Sequence, residues 1–205
     1  MTGLFAGRRR ILVTFAAFWA FAATAAFAQA TGQGWIVLSL ARMTGITTVQ
    51  LDFREKATDT KHYAGFTIGL FNSNQQDWDE GRIGEVKVMA VPAGAYRLSA
   101  FRLEDSMSKR AWNSRQDFDK PFEVRPGEVT YLGEFVGTGI LSKPFFGTRA
   151  VEKPYFLVTD QQARDMPLAL KQKPEIQGLP VRSLAPFVVK GGPDVFLTKR
   201  LPDRE

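Results

Sequence analysis

Few side chains in this chain of 205 residues combine a reactive type with a useful spacing, and all of them lie in polar stretches between apolar runs. The loop Asn72 to Gly81 gathers Asn74, Asp77 and Asp79, hard oxygens of the kind calcium accepts, with Gly81 for a sharp turn. The spacing departs from an EF-hand, because Arg82 stands where the glycine belongs. Two carboxylates and an amide underfill a calcium shell, so a long solvated hairpin is the rival reading. Trp78 and Trp112 sit in polar surroundings, where an indole can stack on a sugar ring or a protein partner, or close off the end of a core.

The single histidine, His62, narrows catalysis. Zinc motifs that need two imidazoles fail, and no Gly-x-Ser-x-Gly elbow accompanies it. A hydrolase would have to be assembled from Asp77, Asp79 and His62. Ser106-Met107-Ser108-Lys109 matches Ser-x-x-Lys, but that chemistry needs the lysine one helical turn after the serine, and this tetrapeptide lies between strand-like runs. No Walker A or complete Gly-x-Gly-x-x-Gly occurs, and no residue set calls for a cofactor. Phe145-Phe146, between Lys143 and Arg149, would serve to dock the C-terminal tail or to meet a membrane or partner.

The first 28 residues carry an address. Arg8-Arg9-Arg10 precedes an apolar run from Ile11, and Ala26-Phe27-Ala28 supplies the small residues of a cleavage site before Gln29. Basic, apolar and A-x-A segments in that order predict a secretory signal peptide, hence a periplasmic or secreted protein. The alternative is an inner-membrane anchor over 11–28, which would give the only membrane contact. The arginines also fit a twin-arginine signal, leaving the export route open. Loss of Arg8, Arg9 and Arg10 leaves 24 basic against 21 acidic residues, a balance with no electrostatic footprint for nucleic acid. The absence of cysteine excludes disulfides, thiolate chemistry and a lipid-modified N-terminal cysteine.

The elements that must position these residues read as strands. From Trp35 to about Phe135 apolar residues recur at period 2, broken by turns. In 47–53, residues Val49, Leu51 and Phe53 face one way, while Thr48, Gln50 and Asp52 face water. Trp35 to Leu40 is nearly continuous, and further runs cover 66–70, 86–91, 96–102, 118–124 and 129–136. Val91-Pro92-Ala93-Gly94 fits a type I turn and Arg125-Pro126-Gly127-Glu128 a type II turn, both read as hairpin links. Tyr155 to Val158 suits a last strand. A helix capped by Thr159 or Asp160 follows, with Ala163, Met166 and Leu170 on one face and Pro167 as a kink.

The expected fold is mainly β: an antiparallel β-sandwich over 29–158, a helical segment over 159–173, and a Pro-rich extended tail over 174–205. Pro92-Ala93-Gly94-Ala95-Tyr96-Arg97-Leu98 resembles the P-x-G-x-Y-x-L turn-and-strand of prealbumin-like, carboxypeptidase-regulatory-type sandwiches. Together with Val124 to Gly133, it is similar to exported and lipoprotein-type bacterial proteins built on such modules. The resemblance spans about 86–136, implies a non-catalytic module and assigns no site residues. The sequence therefore predicts an exported envelope protein that binds or scaffolds, with an envelope protein or glycan as partner. The alternatives are a carbohydrate-binding module using Trp78 and Trp112, and a periplasmic hydrolase.

Overall fold

The computed structural model describes residues 32–43, 45–69, 74–78, 81–106, 108–114, 119–142, 151–185 and 196–197. The targeting pattern of 1–28, Asp79 and Phe145-Phe146 lie outside them. Two sheets face each other. The larger contains β1 (Gln33–Arg42), β4 (Gln76–Asp77), β5 (Ile83–Pro92), β9 (Val129–Leu141), β10 (Val151–Thr159), β11 (Val181–Ser183) and β12 (Phe196–Leu197). Along it the order is β12-β10-β9-β1-β5-β4, with β11 also pairing β9. The smaller holds β2 (Thr48–Glu55), β3 (Lys61–Thr67), β6 (Gly94–Asp105), β7 (Arg110–Asn113) and β8 (Lys120–Val124). Its order is β3-β2-β6, with β7 and β8 sharing the far edge of β6.

The sandwich is antiparallel in most of its pairs, with parallel exceptions at β1–β9, β11–β9 and β10–β12. Between the sheets lies the main core, built from Ile36, Leu38, Leu40, Val49, Leu51, Phe53, Tyr96, Leu98, Leu132, Phe135 and Phe156 among others. A second core forms on the opposite face of the larger sheet. There Trp35, Val37, Val86, Val129 and Tyr131 meet Ala169 from α1 (Gln162–Gln172), Ile176 from the 3-10 turn Pro174–Ile176, and Leu179 from the segment that follows. The near-continuous apolar run around Trp35 is thereby explained, since a strand covered on both faces cannot alternate. The burial of β1 from Gly34 through Ala41 and of β9 from Val129 through Thr138 is unbroken. In the smaller sheet β2 sends Val49, Leu51 and Phe53 inward as expected, but Asp52, expected to face water, is only 8% exposed, covered by the Gln50 amide and Lys61 ammonium that bond to it, both at 2.8 Å.

Two local expectations are corrected. The Pro-Gly turns are not hairpin links: Pro92-Ala93-Gly94 carries the chain from β5 in one sheet to β6 in the other, and Arg125 to Glu128 carries it from β8 back to β9. A tight turn between alternating runs is compatible with either use, and tertiary hydrogen bonds decide. The Tyr96 hydroxyl donates to the Pro92 carbonyl at 2.8 Å, which ties the first corner. Gly127, at φ 68°, donates its N–H to the Gln33 carbonyl at 2.8 Å, which ties the second.

The helix differs as well. It is one segment with Pro167 inside, and its N-cap is Gln161 rather than Thr159 or Asp160. Asp160 still accepts from the Gln162 N–H at 3.0 Å, whereas Thr159 ends β10 and turns its hydroxyl to Glu134. The fully buried helix positions are Asp165 and Ala169, while Ala163 is exposed and Met166 and Leu170 are half-buried. A carboxylate leads the inward face because the sheet beneath supplies its partners.

Candidate functional site

The strongest concentration of polar side chains lies under the start of α1, on the outer face of the larger sheet. Ser39 sits in the middle of β1, and Tyr131 and Glu134 lie on β9. Residues three apart on a regular strand face opposite ways. Gly133, at φ 107°, breaks the regularity, and the β1–β9 register shifts between Val37 and Ser39. The bulge turns Tyr131 and Glu134 to the helix side while Leu132 and Phe135 both enter the main core. A Cβ at Gly133 would stand 2.8 Å from the Thr159 carbonyl oxygen, so glycine serves both the conformation and the close approach.

Asp165 accepts from the Ser39 hydroxyl at 2.6 Å, the Tyr131 hydroxyl at 2.7 Å and the Arg164 guanidinium at 2.7 Å. Glu134 accepts from Arg164 at 3.0 Å, Arg82 at 2.9 Å and the Thr159 hydroxyl at 2.9 Å. Ser39, Glu134 and Asp165 are 0% exposed, so each carboxylate must find its donors within the protein, and each finds three. Burial first, and the neighbouring Asp165 charge second, push the Tyr131 phenol far above its ordinary range. The serine is enclosed and its hydroxyl committed. Chemically the cluster is a clasp: it holds α1 to the sheet and gives an incoming substrate no access to an oxygen nucleophile.

Trp78 belongs to this clasp. The Arg164 guanidinium carbon lies 3.6 Å from the centre of its ring, and the indole packs over Gly84. One indole face is thus occupied by a cation that already holds two carboxylates. Trp112, on β7, pairs with Leu103 and packs partly into the core between the sheets. The two tryptophans therefore belong to different layers, each half-buried. Asn74 and Asp77 are exposed, with Asp77 in the two-residue strand β4 paired to Ile83. Among the described residues no three His, Asp or Glu side chains come together as a metal set.

His62 faces inward from β3, paired with Phe53 and 6.0 Å from the Tyr96 ring, at the end of the sandwich where β6 begins. Asp77 lies at the other end and in the other sheet, beside the Ile83–Arg42 pair. Ser106 and Ser108 occupy the β6–β7 turn rather than a helix, bonded to Thr47 and Asp105, both at 2.7 Å.

The other large polar surface is the outer face of the smaller sheet. A groove of about 390 Å³ runs there between Gln50, Asp52, Lys61, Ser99, Arg102 and Asn113. It lies where β6 bulges: Asp52 pairs with Ala100 and Phe53 with Leu98, so Ser99 is the extra residue. Beside it Tyr63, paired with Asp52, is 70% exposed, more than any other large hydrophobic residue described. None of the described helices covers this face, in contrast to its counterpart on the larger sheet.

The clasp and the groove escape sequence reading for different reasons. Ser39 and Glu134 interrupt runs that are otherwise apolar on both faces, and a polar residue buried in such a run demands a partner. That signal points to Asp165 only once the helix is docked. Tyr63 alternates with Ala64 and Phe66 in β3, and its exposure follows from that alternation.

No family model matches the sequence. No curated protein matches it either. Among solved structures, 51% of this chain aligns with 14% of a leucine-rich repeat protein from Bacteroides thetaiotaomicron, at 13% identity and a TM-score of 0.33. A candidate cell adhesion protein from Parabacteroides distasonis aligns over 62% of this chain and 40% of its own, at 7% identity and a TM-score of 0.32. The chain spans well under two thirds of the length of either, and at these TM-scores neither likeness carries an argument about what this chain does.

Proposed function

We propose that this chain is an exported, non-catalytic binding module of the bacterial envelope, and that its binding surface is the open outer face of the smaller sheet. The observation that carries the reading is the asymmetry of the two sheets. One is covered on its outer face, over parts of β1, β5 and β9, by a clasped helix and the turn after it, while the other keeps a polar groove and an exposed tyrosine on its outer face. Scaffolds that bind commonly present a site on a rigid framework of this kind. The hydrolase alternative has less support, since His62 and Asp77 lie at opposite ends of the sandwich. Export rests on the signal pattern of residues 1–28; among the described residues no helix is long and apolar enough to cross a membrane. The likeness to prealbumin-like modules gains support from the Tyr96–Pro92 bond, which gives the tyrosine of that motif a structural task at the corner between sheets.

A photo-crosslinking amino acid placed at Tyr63 and, separately, at Lys171 on the exposed side of α1 tests the reading in producing cells. Adducts from position 63 and none from 171 are expected. Adducts from 171 alone, or from neither position, would overturn the assignment of the face.

A further inference from the structure

We infer that the groove on the smaller sheet binds a neutral, hydroxyl-rich glycan chain, an inference that rests on the reading of that face as the binding surface. Three lanes of side chains cross the face. Gly65, Gln50, Arg102 and Asn113 are successive partners across β3, β2, β6 and β7. Tyr63, Asp52 and Ala100 form the next lane, and Thr67, Thr48 and Glu104 flank it on the other side. Gly65 and Ala100 keep the floor low, and a Cβ built at Gly65 meets nothing within 4 Å. The groove is bordered by groups that both donate and accept, the amides of Gln50 and Asn113 and the hydroxyls of Ser99 and Ser114, together with the acceptor Asp52 and the donors Lys61 and Arg102.

Charge selects the class of ligand. Lys61 pairs with Asp52 at 2.8 Å, Arg54 with Asp59 at 2.5 Å, Arg97 with Asp59 at 3.1 Å, and Arg102 with Glu104. Arg97 also reaches Asp119 at 3.9 Å. Every cation in this set has a carboxylate beside it, so the face has no net sign with which to recruit an ion. A polyanion would have to displace those carboxylates and a basic peptide those cations, while an apolar segment would bury both unsolvated. Sugar hydroxyls are donors and acceptors at once, and can bond to the outer atoms of paired ions without separating them. The exposed Tyr63 ring supplies the apolar surface on which the C–H face of a sugar ring lies.

Calorimetric titration of the protein lacking residues 1–28 with neutral hexasaccharides of glucose, mannose and N-acetylglucosamine tests this, with hexagalacturonate as the acidic comparison. At least one neutral hexasaccharide is expected to bind, with little change when salt is raised about tenfold. Tyr63→Ala and Asn113→Ala, both at exposed positions, should each weaken it about tenfold while leaving the melting temperature in place. Trp78→Phe, on the opposite side of the molecule, should leave it unchanged. Failure of all three neutral sugars, tighter binding of hexagalacturonate, or binding that survives both variants would overturn the glycan assignment. So would self-association that Tyr63→Ala abolishes, since the face would then be an interface between copies. If sugars fail but crosslinks from position 63 persist in cells, the glycan inference falls and the binding face stands.

Discussion

Glu134 shows how one residue can decide the packing of a layer. Its carboxylate is fully buried, yet it joins Arg82 from the segment before β5, Thr159 from the end of β10 and Arg164 from the helix. Glu134→Gln removes the charge and turns amide hydrogens toward two guanidinium groups. The expected loss is about 3 kcal/mol, at the lower end for a broken buried pair, measurable by urea unfolding. The lower end applies because Arg82 and Arg164 keep 14% and 24% of their side chains exposed and can rehydrate. Tyr96 makes a second residue-scale prediction. Burial first and Glu55 second push its phenol up to about 12 from the ordinary 10.0. A phenol that holds its proton more tightly folded than unfolded favours the native state fully below about pH 10, and that favour drains away as pH climbs toward about 12. Melting temperature should therefore fall over that window, less steeply in Tyr96→Phe. The same variant should be less stable at neutral pH by about 1 kcal/mol, the worth of the hydrogen bond to Pro92. A melting curve equally pH-dependent in both proteins would remove Tyr96 from the account.

At the scale of elements, the two corners are the features most exposed to mutation. Gly127 holds φ 68° while its N–H reaches Gln33, so Gly127→Val should cost about 1–3 kcal/mol of thermal stability. An unchanged melt would mean that the corner relaxes into another turn. The identity of Gly127 and Pro126 made a tight turn legible in the sequence, but the destination of the chain was not, because nothing local distinguishes a hairpin from a passage between sheets. The strands were legible where one face is wet, as in β2, where Val49, Leu51 and Phe53 point inward. Short strands such as β4 and β7 were not, since two or four residues offer too little periodicity and are held by pairing to β5 and β6. The helix is legible in the sequence to within a few residues, and of the face formed by Ala163, Met166 and Leu170 the latter two pack against the core beneath the helix, while Ala163 is exposed and Asp165 and Ala169 take the fully buried positions. Hydropathy gives no reason to bury Asp165; only the donors Ser39 and Tyr131 on the sheet below provide one.

Across the described residues the molecule is a β-sandwich with a helix packed on one side: α1 and the turn after it cover parts of β1, β5 and β9 on the outer face of the larger sheet, and the outer face of the smaller sheet carries a groove. The candidate ligand residues read from the sequence, Trp78 and Trp112, were sound choices by chemistry. Their half-burial in separate layers became visible only in three dimensions, while Tyr63 stands open in a strand whose alternation already implied it. The address read from the sequence has its own check: N-terminal sequencing of the exported protein should begin at Gln29, and intact Met1 in the inner membrane would instead establish the anchor. The proposed binding face is tested most directly by amide chemical-shift mapping of the protein lacking residues 1–28 as envelope extract is titrated in. Shifts should concentrate in 48–54, 61–67, 99–104 and 110–114, leaving 162–176 in place; shifts concentrated on the helix layer, or none on either side, would contradict the account.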